Sequence, residues 1–162
     1  MSADIEIIGI EKPENTNVIL GTSHFIMTVA DIHEMIVRTN PGINFGLAFN
    51  EASGPCLVRK TGNSDELIDL AVRNAMNVAS GHSFFLFIEN GYPINILNSL
   101  KMVPEVCSII CATANPLQVV VCVTAQGRGI IGCIDGYSPK GVEDGEDARQ
   151  RKELLEKIGY KQ

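Results

Sequence analysis

The apolar residues of this chain are grouped in short runs, and these runs constrain its fold more than any other feature. Glycine, asparagine, proline or charged residues interrupt them, and the longest, "LQVVVCVTA", has about nine residues, well below the roughly 20 that span a bilayer. Short runs rich in β-branched residues are typical of strands, and here they alternate with segments of helical period. We therefore predict a layered α/β (α+β) fold, one domain over residues 1–162, with a mixed β-sheet packed by helices.

The stretch "NVASGHSFFLFIENG", residues 77–91, places a histidine between a predicted helix and a predicted strand. The spacing of Asn63 and Glu66 predicts a capping box at the start of this helix. Gly81 is the expected stop at its C-terminal end. His82 should therefore lie at the rim of a sheet, and His24 in "GTSHF" has a similar setting.

The two histidines are candidates for chemistry because an imidazole titrates near neutrality. It can act as a nucleophile, a general base or a phosphate partner, and backbone N–H groups at the ends of elements suit anions. Ser23, Gly81 and Ser83 flank the rings and join the candidate ligand-binding residues. A hydrogen-bonded structural histidine is the alternative, and the residues alone leave both interpretations open.

The remaining histidine does not suggest a metal site. His33 falls near the polar side of a predicted helix, beside Glu34, and we interpret it as a surface residue. No carboxylate or cysteine lies at ligand spacing from the histidines, so we predict no bound metal among them.

Several polar residues interrupt apolar surroundings, where burial is costly unless they are paired. We expect them to line a cleft that forms hydrogen bonds with the donors and acceptors of a ligand such as a nucleoside. These residues are Glu51, Asn95, Asn98, Thr113 and Asn115. Arg128 lies in "GRGIIG", which matches the dinucleotide fingerprint G-x-G-x-x-G. Strand-like runs on both sides predict a hairpin there instead, from which Arg128 can reach an anion.

The net charge and the cysteines indicate which partners and which cellular compartment to expect. The net charge is −6 and the basic residues are scattered, whereas a nucleic-acid duplex asks for a basic stripe, so we expect no nucleic-acid polymer. Five cysteines in or beside apolar runs favour reduced, buried thiols. The N-terminus lacks a signal-like segment, and no run suits a membrane helix. We expect a cytoplasmic protein.

Five long motifs resemble one known family, the adenosine-specific kinases of archaea and bacteria. They are "GTSHFIMTVADI", "FGLAFNEASG", "NAMNVASGHSFFLF", "PINILNSLKMVPEVCSIICATANPLQVVV" and "GRGIIGCIDGYSPKGVE". The likeness runs from about residue 5 to the C-terminus. It implies a compact α/β fold, a homo-oligomer, and binding of adenosine or AMP, with His24 or His82 carrying a phosphoryl group. Met27 departs from the family pattern, in which a lysine is familiar at that position.

The resemblance implies a phosphotransferase that acts through a phosphohistidine, and we favour His82 because glycine precedes it. A neutral imidazole would attack phosphorus while Ser83, backbone N–H groups and Arg59 or Arg128 stabilise the oxygens. Asp135 or Glu51 would hold a magnesium ion brought with the phosphate donor. The alternative is a nucleotide sensor or binding module without turnover, which the lack of a Walker or protein-kinase signature favours.

Overall fold

A computed structural model describes residues 2–160 of the chain and confirms the layered α+β prediction. Within that part, eight strands and four helices follow one another in this order: β1 (Asp4–Gly9), β2 (Asn17–Ser23), α1 (Thr28–Thr39), β3 (Asn44–Asn50), β4 (Val58–Gly62), α2 (Asp65–Val78), β5 (Ser83–Glu89), α3 (Pro93–Lys101), β6 (Val106–Thr113), β7 (Leu117–Val123), β8 (Arg128–Asp135) and α4 (Gly145–Lys157).

The strands form two sheets. Five of them pair in the order β4-β3-β5-β2-β6, and three in the order β1-β7-β8. Every pair of these strands is antiparallel, whereas the sequence suggested one sheet of mixed direction. The alternation of side chains identifies a strand but carries no information on the direction of its neighbour, so this feature emerges only from the connections.

The five-stranded sheet separates two apolar cores. One face packs against α1 and α3 through residues that include Phe45, Phe49 and Phe84. The other packs against α2 and the three-stranded sheet. Strand β5 belongs to both cores, and residues 83–88 are fully buried. Each buried aromatic or aliphatic side chain stabilises the fold by roughly 1.5–3 kcal/mol.

Helix α2 positions His82, and its ends differ from the prediction. Ser64 is the N-cap, since its hydroxyl accepts from the Leu67 N–H. Asn63 instead binds strand β3, accepting from the Phe45 N–H at 2.7 Å. The helix ends at Ala79, which has a left-handed φ of 51°, two residues before the predicted Gly81. The predicted capping box is therefore wrong because the neighbouring strand recruits Asn63.

All five cysteines are free, but they are not uniformly buried. Cys111 is buried, and burial is the main cause that raises the pKa of its thiol. Cys122 and Cys133 are half-buried, whereas Cys56 and Cys107 are exposed. The prediction of buried thiols is wrong for these last two, since Cys56 lies in the β3–β4 connection and Cys107 on the edge strand β6. In the described residues no helix has the length and apolarity to cross a bilayer.

Candidate functional site

Five strand ends meet along one edge of the five-stranded sheet. They are the start of β4, the end of β3, the start of β5, the end of β2 and the start of β6. We call this edge the histidine edge, and it carries Ser23, His24, Glu51, Arg59, His82 and Glu105. The antiparallel register thus brings together residues that are far apart in the sequence.

His82 is held by its backbone and by its ring. Its N–H donates to the Asn50 carbonyl at 2.7 Å, and its own carbonyl accepts from the Ser23 N–H at 2.9 Å. The ring stacks on Phe49, with centroids 5.8 Å apart and an interplanar angle of 14°. Its φ of 59° is in the left-handed region, which is uncommon for a residue other than glycine. Such strain persists where the surroundings determine the conformation, often at functional sites.

A buried carboxylate faces this ring. Glu51 accepts from the Nε of Arg59 at 3.1 Å and from the Ser53 hydroxyl at 3.3 Å. Its Oε1 lies 3.7 Å from the Nε2 of His82, and the Glu51 side chain is only 7% exposed. The hydrogen bond from Arg59 lowers the pKa of Glu51 from its ordinary value, so the carboxylate is ionised at neutral pH. The Glu51 carboxylate therefore lies between the Arg59 guanidinium and the His82 imidazole.

A cleft of about 690 Å³ opens beside the histidine edge, within the size range of small-molecule sites. Its walls are the C-terminal end of α2, the β3–β4 connection and the β7–β8 hairpin. Glu51 and Gly81 line it, and Gly81 directly precedes His82. A side chain at position 81 would meet the Cβ of Ala52 at 2.9 Å. The absence of a side chain at Gly81 therefore lets the β3–β4 connection approach the residue before His82.

The far wall of the cleft is the hairpin that carries Arg128. Val123 pairs with Arg128 in the β7–β8 ladder, which confirms a hairpin rather than a dinucleotide loop at "GRGIIG". The Arg128 guanidinium lies 2.9 Å from the Glu6 carboxylate and donates to the Asn77 carbonyl at 3.3 Å. Since its side chain is still 29% exposed and lines the cleft, Arg128 can contact a bound anion.

His24 lies one strand away from His82, on the exposed part of the edge. Its N–H donates to the Glu105 carbonyl oxygen at 3.1 Å, and the Ser23 hydroxyl donates to the same oxygen at 2.9 Å. Ser23 itself is buried at 1% exposure. The backbone of Glu105 therefore anchors the end of β2.

The side chain of Glu105 is the functional candidate that the sequence analysis missed. Glu105 is 8% exposed, and its Oε2 is buried without a hydrogen-bond partner among the described residues. Buried polar atoms are almost always paired, so each exception asks for an explanation. A single acid in "VPEV" matches no motif, and its position directly before an apolar strand was the available signal.

Ser83 and Asn98 do not open into this cleft. Ser83 is fully buried, where its hydroxyl donates to the Ser80 carbonyl at 2.6 Å and accepts from Asn50 at 3.1 Å. Asn98 lines a separate surface cleft of about 580 Å³ between α1 and α3. Both are therefore separated from the residues that surround the His82 ring.

Other predicted residues lie at the opposite ends of the strands. We call this the asparagine edge, and it carries Asn17, Asn63, Asn95 and Asn115. Asn95 accepts from the Tyr92 N–H at 2.8 Å, in the capping box of α3. Asn115 donates to Asp135 at 3.1 Å. These side chains shape the ends of elements.

Neither candidate magnesium ligand presents a free pair of oxygens. Asp135 accepts from the Thr113 hydroxyl at 2.6 Å as well as from Asn115, and Glu51 is bound as described above. Within residues 2–160 no group of three or more potential metal-ligating side chains occurs. His33 is half-buried rather than on the open surface, since its Nδ1 lies 2.8 Å from the Thr61 hydroxyl.

Comparisons with known proteins find one matching family and one closely similar solved structure. A family model described as adenosine specific kinase matches residues 8–161. The crystal structure of the PH1918 protein from Pyrococcus horikoshii OT3 is similar over 99% of each chain, with 46% sequence identity and a TM-score of 0.94. Among curated proteins no match is found.

Proposed function

This chain belongs to the adenosine specific kinase family, and on that premise we propose that it binds adenosine or AMP in the cleft and transfers a phosphoryl group through His82. One observation carries the proposal. The strained His82, with the buried Glu51 and the partly exposed Arg59 behind its ring, lies at the border of a surface cleft of about 690 Å³.

The cleft suits a nucleoside because its walls combine apolar and polar groups. Val58, Ala75 and Met76 supply an apolar surface for a base, and a thioether packs well against an aromatic ring. Thr124 and Gln126 on the hairpin offer hydrogen-bonding groups for the base or the ribose. A nucleoside seated with its 5′ end toward Gly81 would bring the reacting oxygen to His82.

The reaction balances through a phosphorylated ring. A ring nitrogen of neutral His82 attacks the terminal phosphorus of a phosphoric anhydride, and the anhydride P–O bond breaks with its electron pair on the leaving group. The 5′ hydroxyl of adenosine then attacks the same phosphorus, loses its proton to solvent, and returns the P–N electron pair to the ring. Arg128 and Arg59 are the candidate guanidinium groups that stabilise the phosphoryl oxygens.

Ligand binding is tested by thermal denaturation. Adenosine and AMP should raise the melting temperature, because a ligand that binds only the folded state stabilises it by mass action, whereas guanosine should not. Arg128→Met should weaken the shift by AMP, and Arg149→Met on the exposed helix α4 is the matched control. Equal shifts with adenosine and guanosine compounds, or none at all, would contradict the nucleoside assignment.

Turnover is tested by labelling with a panel of phosphate donors. The protein should acquire a label that mild acid removes and alkali preserves, and His82→Asn should abolish it, since asparagine tolerates the left-handed backbone at this position. A label that persists in His82→Asn but disappears in His24→Asn would transfer the role to His24. Binding of adenosine with no label and no AMP from any donor would identify a nucleotide-binding module.

We also propose that copies of the chain associate. The three-stranded sheet exposes Ile5, Ile7 and Ile131 by about 60% each, and exposed apolar groups close together favour contacts between proteins. Sedimentation velocity at micromolar concentration should show a species larger than one chain. A monomer throughout that range would contradict association.

A further inference from the structure

The orientation of the His82 ring distinguishes its two nitrogens. Nε2 faces Glu51 at 3.7 Å, and the stack on Phe49 fixes the plane of the ring. Glu51 cannot turn away freely, because Arg59 holds its other oxygen and its side chain is 7% exposed. The two ring nitrogens thus have different surroundings, because Nε2 faces a carboxylate and Nδ1 has no hydrogen-bond partner among the described residues.

The carboxylate decides where the ring proton lies. A neutral imidazole carries one proton, on one of its two nitrogens, and an ionised carboxylate only accepts hydrogen bonds. At 3.7 Å the two atoms are beyond hydrogen-bond distance, but the negative charge of Glu51 still favours the proton on Nε2, and this leaves the lone pair on Nδ1. Histidines oriented by a carboxylate in metal sites show the same control of the tautomer.

We propose that Glu51 is a positioning residue that directs phosphorylation of His82 to Nδ1. This inference rests on the proposed function. The Nδ1 lone pair attacks the terminal phosphorus of a nucleoside triphosphate, the Nδ1–P bond forms, and the diphosphate leaves with the electron pair of the broken P–O bond. Nε2 keeps its proton throughout, and the positive charge that develops on the ring is stabilised by the Glu51 carboxylate.

The tautomer gives a test that needs no phosphate donor. Nitrogen-15 NMR of the unphosphorylated protein at a pH where His82 is neutral should show a protonated Nε2 and a bare Nδ1. Glu51→Gln should lose this preference, because an amide can either accept from the ring or donate to it. Glu11→Gln is the matched control, since Glu11 also pairs with an arginine, Arg73, but is 59% exposed. A wild-type ring protonated on Nδ1 would overturn the inference.

The phosphorylated product gives the second test. After a short incubation with ATP or with phosphoramidate, isomer-specific antibodies should detect the Nδ1 isomer in about tenfold excess over the Nε2 isomer, as expected for a ring nitrogen that faces an ionised acceptor. The excess should vanish in Glu51→Gln and persist in Glu11→Gln. A wild-type label on Nε2 would overturn this inference and leave phosphohistidine chemistry intact. No label on His82 from either reagent would overturn both.

Discussion

The two edges of the five-stranded sheet carry similar kinds of polar residue but differ in how far these residues are hydrogen-bonded inside the fold. At the asparagine edge the side chain of Asn63 binds backbone groups at the start of β3, and that of Asn95 binds the N-cap of its own helix, α3. At the histidine edge Glu105 keeps a buried oxygen without a partner among the described residues, and His82 has a left-handed backbone. The asparagine edge is therefore built for stability, and the histidine edge retains the unpaired and strained groups that a ligand can use.

Polar residues in the apolar surroundings of this fold are therefore of two kinds. Those whose atoms are all paired inside the fold close the ends of elements, as Asn63 does for β3 and β4. Those left with free hydrogen-bonding capacity, such as Glu105, can bind a ligand. Four substitutions test this distinction.

The largest effect is expected at Asn50, whose side-chain amide nitrogen is paired inside the fold although the residue lies on the histidine edge. Three oxygens lie within 3.1 Å of its buried Nδ2, those of the Ala75 and Ser80 carbonyls and of the Ser83 hydroxyl. Asn50→Ala should lower the free energy of unfolding by about 3 kcal/mol, because it removes three buried hydrogen bonds that each contribute about 1 kcal/mol. Urea denaturation measures this loss of stability. Asn63→Ala at the other edge is the comparison, with a loss of about 1–2 kcal/mol; the reverse order would break the assignment of roles.

A change of opposite sign is expected at Glu105. Glu105→Met should raise the free energy of unfolding by about 1–2 kcal/mol, because it removes a buried carboxylate oxygen that lacks a partner and keeps the backbone carbonyl that holds Ser23 and His24. The matched control is Glu89→Met at the asparagine edge, where the carboxylate accepts from Asn15. Glu89→Met should give no gain. A destabilised Glu105→Met protein would mean that the carboxylate serves the fold and not a ligand.

A smaller gain is expected at the end of helix α2. Ala79 has a φ of 51°, a conformation that glycine adopts without strain, so Ala79→Gly should stabilise the protein by about 0.5–1 kcal/mol. Asn90 has a φ of 57°, and asparagine tolerates this region better. Asn90→Gly should therefore gain less in the same denaturation experiment, and an equal gain would show that the strain is not particular to the histidine edge.

The smallest effect is a dependence on pH. The Arg59 hydrogen bond lowers the pKa of Glu51 in the folded protein from the ordinary 4.5. The contribution of the charged pair to stability is therefore present above that value and lost as the pH falls through the folded pKa. Glu51→Gln should melt below wild type at pH 7, and the two curves should converge as the pH falls through the lowered folded pKa of Glu51. A constant difference between the melting temperatures across this range would exclude the ionised pair as its cause.

The sequence predicts the place of His82 well and its surroundings poorly. A helix followed by a glycine, a histidine and an apolar run puts the ring at a sheet rim, because local periodicity identifies both elements. The hairpin at Arg128 is confirmed for the same local reason. The approach of Glu51 to His82 and the burial of Glu105 depend on strand order, which alternation does not encode.

The same limit explains why the predicted polar cluster divides between two edges. Glu51 and Asn95 both stand beside apolar runs, and the sequence treats them alike. Their strands end at opposite sides of the sheet, so only the antiparallel register separates a residue beside His82 from one that caps α3.

Strand β5 lies at the centre of the five-stranded sheet, and its position determines when the site comes into existence during folding. Its partners β2 and β3 lie far before it in the sequence. Phe85 of β5 pairs with Leu20 of β2 on one side and with Ala48 of β3 on the other. Pairings of such high contact order form slowly, because the entropy lost in closing long loops comes before the stabilising contacts are made. A partly folded chain holds Glu51, His82 and Ser23 on separate segments. Phosphorylation competence should accordingly appear only with the last and slowest phase of refolding, and it can serve as a kinetic marker of the fully native state.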